Sequence, residues 1–85
     1  METVFKCKYF YIKRKDIENK KTPIFKIYTN LDDFELGEIK WHGAWRTFTF
    51  YPANDTLWDT HCLLSLSCFL DNLNTSWKGN ITNDK

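Results

Sequence analysis

Glycine and proline are scarce, at three and two residues, which excludes a collagen-like repeat or a flexible low-complexity linker. Three scattered glycines also cannot build a phosphate-cradling loop, and neither a Walker sequence nor a G-x-S-x-G elbow is present. Cysteine occurs only as Cys7, Cys62 and Cys68. An odd number without C-x-x-C spacing excludes a disulfide framework and points to reduced thiols in a cytoplasmic protein. The N-terminus has no apolar run of signal-peptide length, and no segment reaches the roughly 18 apolar residues that span a bilayer, so no membrane association is expected. Without secretion, the N-x-S/T tripeptides at Asn54, Asn74 and Asn80 are chance occurrences in an Asn-rich chain.

Ring-bearing side chains are abundant instead. Seven Phe, four Trp and four Tyr, beside 27% charged residues, make the composition globular rather than disordered. Eighty-five residues allow one domain, and a chain this short must draw its stability from large side chains. The expected domain covers residues 1–74, followed by a polar tail, 75–85. A net charge of +1 excludes both a histone-like polyanion binder and an acidic DNA decoy. It conceals an asymmetry, because residues 1–26 balance at +5 and residues 27–85 at −4. The chain is therefore expected to be a charge dipole.

Residues 4–12 (VFKCKYFYI) alternate as a single strand, with Phe5, Cys7, Tyr9 and Tyr11 on one face. Residues 13–21 (KRKDIENKK) lack apolar periodicity and read as the loop of a long hairpin. Alternation resumes at Pro23–Thr29, where proline is tolerated at the strand's first position. Asn30–Asp33 reads as a turn, residues 34–41 as a third strand with a bulge at Gly37, and residues 45–52 as a fourth. Thr56-Leu57-Trp58-Asp59 has the form of a capping box. From Asp59 to Leu73, the positions Cys62, Leu63, Leu66, Phe69, Leu70 and Leu73 form an amphipathic stripe; beyond them the polar tail is expected to fray, with only Trp77 and Ile81 able to anchor it. The expected fold is α+β: a four-stranded antiparallel sheet of two hairpins, with one amphipathic helix packed on one face. The opposite face is uncovered, which leaves some of Tyr9, Tyr11, Trp41, Trp45, Phe48, Phe50 and Tyr51 for an exposed patch.

Catalytic and metal chemistry find little support in these residues. His61, Cys62 and Cys68 are close in sequence, but about 240° of helical rotation separates the two thiols. Adjacent His61 and Cys62 diverge by about 100°, too far for a Cys–His pair. Asp32-Asp33 upstream of Glu38-Ile39-Lys40 has the order of a metal-dependent nuclease site, yet the same residues suit an acidic turn beside a solvent-facing strand. No enzyme activity, metal or cofactor is expected. The basic residues Lys13, Arg14, Lys15, Lys20 and Lys21 can reach phosphates, with Tyr9 and Tyr11 beside them to stack on bases. Asp16 and Glu18 in the same loop oppose that contact.

Gly37 to Pro52 (GEIKWHGAWRTFTFYP), followed by Cys62-Leu63 and Phe69-Leu70, resembles a pattern met in short orphan proteins of bacteriophages and other mobile elements, over about half of the chain. Many such proteins inhibit bacterial defence, anti-CRISPR proteins among them, by covering a site on a large nuclease. The resemblance implies a non-enzymatic inhibitor in the host cytoplasm that binds a host protein, such as a CRISPR effector or another defence nuclease, stoichiometrically. Trp and Arg are frequent interface anchors, so Trp41, Trp45 and Arg46 are its expected contacts, flanked by the basic loop. Asp32, Asp33, Glu35 and Glu38 could instead enter a phosphate-binding groove of the nuclease. The alternative is a small nucleic-acid-binding module that uses the sheet and the 13–21 loop.

Overall fold

The computed structural model describes residues 2–83, and side-chain surroundings as far as residue 77. Five strands, β1 (Glu2–Lys6), β2 (Phe10–Lys15), β3 (Ile24–Thr29), β4 (Glu35–His42) and β5 (Thr47–Pro52), precede one helix, α1 (Thr60–Asn83). The strands form an antiparallel meander in sequence order. The class is α+β as expected, but the sheet has five strands rather than four.

The extra strand arises because residues 4–12 fold back on themselves. Their apolar positions change phase, from odd at Phe5 and Cys7 to even at Phe10 and Ile12, and a chain that keeps one face buried must turn where the phase slips. The turn is closed by the Cys7 N–H donating to the Phe10 carbonyl at 2.9 Å, and Phe5 then pairs with Ile12 on the same face. Asn30, from the β3–β4 turn, holds this corner: its Nδ2 donates to the carbonyls of Cys7 (2.7 Å) and Lys8 (3.0 Å). Strand β2 continues through Lys13, Arg14 and Lys15, so these belong to a strand and the connecting loop shrinks to residues 16–23.

Cross-strand register places Phe10, Ile12, Phe25, Ile27, Ile39 and Phe48 on one face, and together with Leu66 of α1 they are the buried core. Phe69 of α1 packs between Phe5 and Phe25, and Trp77 meets Phe48 edge-on at 5.2 Å. The helix therefore crosses the sheet from the β1–β2 side towards β5. Cys62, Leu70 and Leu73 of the expected stripe pack on the core, whereas Leu63 is 48% exposed. The helix also begins one turn later than the capping box implied. Asp59 is the cap, its Oδ1 accepting from the Cys62 N–H at 2.9 Å. Thr56 instead organises the loop, donating to the Ala53 carbonyl and accepting from Trp58 Nε1.

The helix runs through Asn83, well past Leu73, because further contacts wait beyond the leucine stripe. Asn74 grips the backbone of Phe48, accepting from its N–H at 2.8 Å and donating to its carbonyl at 3.2 Å. Trp77, in the stretch expected to fray, packs on the core. The Ile81 side chain and residues 84–85 lie outside the described residues. No helix among the described residues is long and apolar enough to cross a membrane.

Candidate functional site

With α1 on one face, nothing among the described residues packs on the other. Strands alternate their side chains between faces, so the register fixes what this open face presents. One row across the strands reads Lys6, Tyr11, Tyr28 and Glu35, and the next reads Lys13, Lys26, Glu38 and Tyr51. Lys15, Ile24, Lys40 and Thr49 follow. Five lysines against two glutamates give the strand positions of this face a net charge of +3, with the Asp33 carboxylate beside its Tyr11 hydroxyl.

Its rings and cations are arranged in pairs. Tyr11 and Tyr28 stack with centroids 5.4 Å apart. Lys13 Nζ lies 5.8 Å from the Tyr11 ring, and Lys40 Nζ lies 4.6 Å from the Tyr51 ring, within cation–π range. Two further bonds orient the rings, Tyr11 Oη donating to Asp33 at 2.6 Å and Tyr51 Oη meeting His42 Nδ1 at 3.1 Å. The Asp33 bond, aided by partial desolvation and the aspartate charge, pushes the Tyr11 phenol up to about 12, so it remains a neutral donor at physiological pH.

Both glutamates of this face are already engaged. Lys26 bridges Glu38 at 3.1 Å and Glu35 at 3.5 Å, and Lys40 reaches Glu38 at 3.4 Å. Burial alone would raise the Glu38 carboxyl, but hydrogen bonds and charge from Lys26 and Lys40 outweigh it and hold the group below the usual carboxylate range. Lys26 is raised in turn, chiefly by its hydrogen bond to Glu38. Among the described residues Lys6, Lys13 and Lys15 form no ion pair, so the β1–β2 half of the face carries its unneutralised charge.

The expected contact residues are dispersed. Lys13 and Lys15 are on the open face, and exposed Lys20 and Lys21 extend it at the loop that follows β2. Arg14 points to the helix side, lines a groove with Phe25 and Phe69, and pairs with Asp16 at 3.1 Å. Trp41 faces the helix side and packs edge-on against Phe48 at 5.3 Å, as Phe48 and Phe50 also face the core; none of these three belongs to an exposed patch. Trp45, 69% exposed, and Arg46 form the β4–β5 turn. Antiparallel topology brings this turn to the same end of the sheet as the 16–23 loop. Lys26, Tyr28 and Lys40 were missed, although their spacing of two along each strand was the signal that could have found them.

The nuclease-like order is not assembled as a site. Asp32 accepts from Thr29 Oγ1 and, at 3.3 Å, from the Phe34 N–H, while Asp33 holds Tyr11. Both aspartates are thus turn-forming groups, apart from the Glu38 network. Cys62 is half-buried, and burial pushes its thiol up, away from an activated thiolate. Among the described residues no three His, Cys, Asp or Glu side chains gather as a metal site.

Over 54 residues the chain is 32% identical to the uncharacterized 9.3 kDa protein of Acholeplasma phage L2, a match spanning 64% of this chain and 69% of that protein. No family model and no solved structure matches it.

Proposed function

Because the chain belongs to the same family as the 9.3 kDa protein of Acholeplasma phage L2, we propose that it is a phage-type, non-enzymatic binding protein whose partner is nucleic acid. The observation that carries this reading is the open face, where three tyrosines and five lysines lie together on one uncovered surface. Phosphates seek the unneutralised lysines, and flat rings beside them suit bases. A protein-covering role based on Trp41 loses its anchor, since that ring is committed to the core side.

The test is titration into fluorescein-labelled DNA and RNA oligonucleotides at 50 and 200 mM salt, read by anisotropy. Binding should weaken several-fold or more between the two salts, and a Lys13→Gln, Lys15→Gln double variant should bind more weakly at 50 mM. Absence of binding to every oligonucleotide at 50 mM salt would reject the reading.

A second reading is stoichiometric inhibition of a defence nuclease, and a different surface favours it. At the end of the sheet opposite the basic loop, Leu31 of the β3–β4 turn is 96% exposed, next in sequence to Asp32 and Asp33, and Leu57 of the β5–α1 connection is 94% exposed, two residues after Asp55. Acidic groups around apolar side chains suit a basic, nucleic-acid-binding groove on a protein. Adding the protein at a one-to-one ratio to a purified CRISPR effector should then abolish cleavage, and Leu31→Ser, Leu57→Ser should restore it.

A further inference from the structure

Resting on the nucleic-acid reading above, we infer that the open face takes a single strand and not a duplex, with bases stacked on Tyr51 and on the Tyr11–Tyr28 pair and phosphates held by the unpaired Lys6, Lys13 and Lys15. At Tyr11 the free ammonium of Lys13 lies 5.8 Å from the ring, and at Tyr51 the ammonium of Lys40, 4.6 Å from the ring, is shared with Glu38. A nucleotide offers the complementary pair, one flat π-face and one negative charge.

Width separates the two forms of nucleic acid. Five strands at about 4.8 Å spacing make a face roughly 19 Å across its outer strands, whereas a B-form major groove is about 12 Å wide. The face cannot enter that groove, and the stacked bases of a duplex offer no free π-surface to its rings. An unpaired strand has neither obstacle, because its bases splay onto aromatic platforms while its backbone tracks the cations.

The register also sets the spacing of the stations. Tyr28 and Tyr51 are separated by two inter-strand gaps and two residues along the strands, about 12 Å. They therefore engage bases separated along the strand, not adjacent ones. The two glutamates of the face do not oppose the strand, because Lys26 and Lys40 already neutralise them.

The experiment compares a labelled oligo-dT or oligo-rU strand with a hairpin duplex of equal length, by anisotropy over a salt series. The single strand should bind at least tenfold more tightly than the duplex. Its log–log salt slope should be about −2, as expected for three unneutralised lysines, and should fall to about −1 in the Lys13→Gln, Lys15→Gln variant. Tyr51→Leu and Tyr28→Leu should each weaken single-strand binding by about 5- to 100-fold without changing the slope. Tyr51→Phe and Tyr28→Phe keep the ring, should stay within threefold of the parent, and control for damage to the fold. Equal or tighter duplex binding, or leucine variants that bind as the parent does, would overturn the inference while leaving nucleic-acid binding intact. Loss of binding in the phenylalanine variants as large as in the leucine ones would overturn stacking as its basis. Failure of the parent to bind either form would remove both readings together.

Discussion

Gly37 sits where the β3–β4 ladder slips: Ile27 pairs with Gly37, Tyr28 with Glu35, and Leu36 is the extra residue between. Its φ of +154° is disfavoured for residues carrying a Cβ. A Cβ built there would meet the Tyr51 carbonyl oxygen at 2.6 Å, a Phe50 ring carbon at 2.8 Å and the Pro52 Cα at 3.0 Å. Two of these are backbone atoms of the neighbouring strand and cannot move aside cheaply. Gly37→Ala should therefore cost about 2–4 kcal/mol. Urea unfolding measures it, and a loss below about 0.5 kcal/mol would show that the ladder re-registers freely. This residue was legible in the sequence, since a glycine inside an alternating strand marks a bulge. Trp41 was not. An aromatic in the pattern could face either side, and only the register with Phe48 assigns it to the core side.

Among the elements, the turn after β1 and the end of α1 were missed, whereas the β3–β4 and β4–β5 turns fall where Asn30–Asp33 and the residues around Gly43 place them. The sheet class, the bulge and the single helix follow from periodicity, because burying one face of a strand or helix leaves a period that any window of the sequence shows. The turn after β1 is concealed because the period-2 pattern continues through Lys8 and Tyr9, and only the shift of its apolar positions from odd to even marks where the chain folds back. The end of α1 was lost for a different reason: Asn74 is polar, and a polar residue past a leucine stripe looks like a tail. Its role depends on a partner distant in sequence. Phe48 turns its N–H and carbonyl outward from the edge strand β5, and the Asn74 amide satisfies both as another strand would. Asn74→Ala should cost about 1–3 kcal/mol by leaving those backbone groups without their partner. Asn74→Asp should cost more, because a carboxylate keeps the acceptor for the Phe48 N–H but sets negative charge against the carbonyl. Hydrogen exchange at the Phe48 amide reads the same event locally. If both variants unfold at the parent's midpoint, the amide clamp does not hold the helix end.

Taken as a whole, the molecule separates its charges along the strand direction. Asp32, Asp33, Asp55 and Asp59 lie in connections at one end, against Lys8, whereas at the other end Lys20 and Lys21 are balanced by Asp16 and Glu18 and Arg46 adds one positive charge. The positive excess expected for residues 1–26 falls on the β1–β2 side of the sheet, an arrangement that would steer an anionic strand to that half of the face before contact. The same distribution sets the response to pH. Hydrogen bonds hold the Asp32 and Asp59 carboxyls low, from the Thr29 hydroxyl and the Cys62 N–H respectively. Glu38 is low as well, through Lys26 and Lys40 and against its burial. A carboxyl depressed in the folded state stabilises it above the unfolded value of about 3.9–4.3, and that contribution vanishes as pH falls through the folded value. Lys26 works in the opposite sense. Its raised value stabilises the fold fully below about 10.4 and loses effect as pH climbs through the folded value. Thermal unfolding should therefore show a plateau from about pH 5 to 9, a fall below about pH 4 and a second fall in strong alkali. Glu38→Gln should lower the plateau and flatten part of both limbs, because the partner that raises Lys26 is gone. An unchanged alkaline limb in that variant would mean that the Lys26–Glu38 pair contributes nothing to the fold, and that this part of the open face is held by the strands alone.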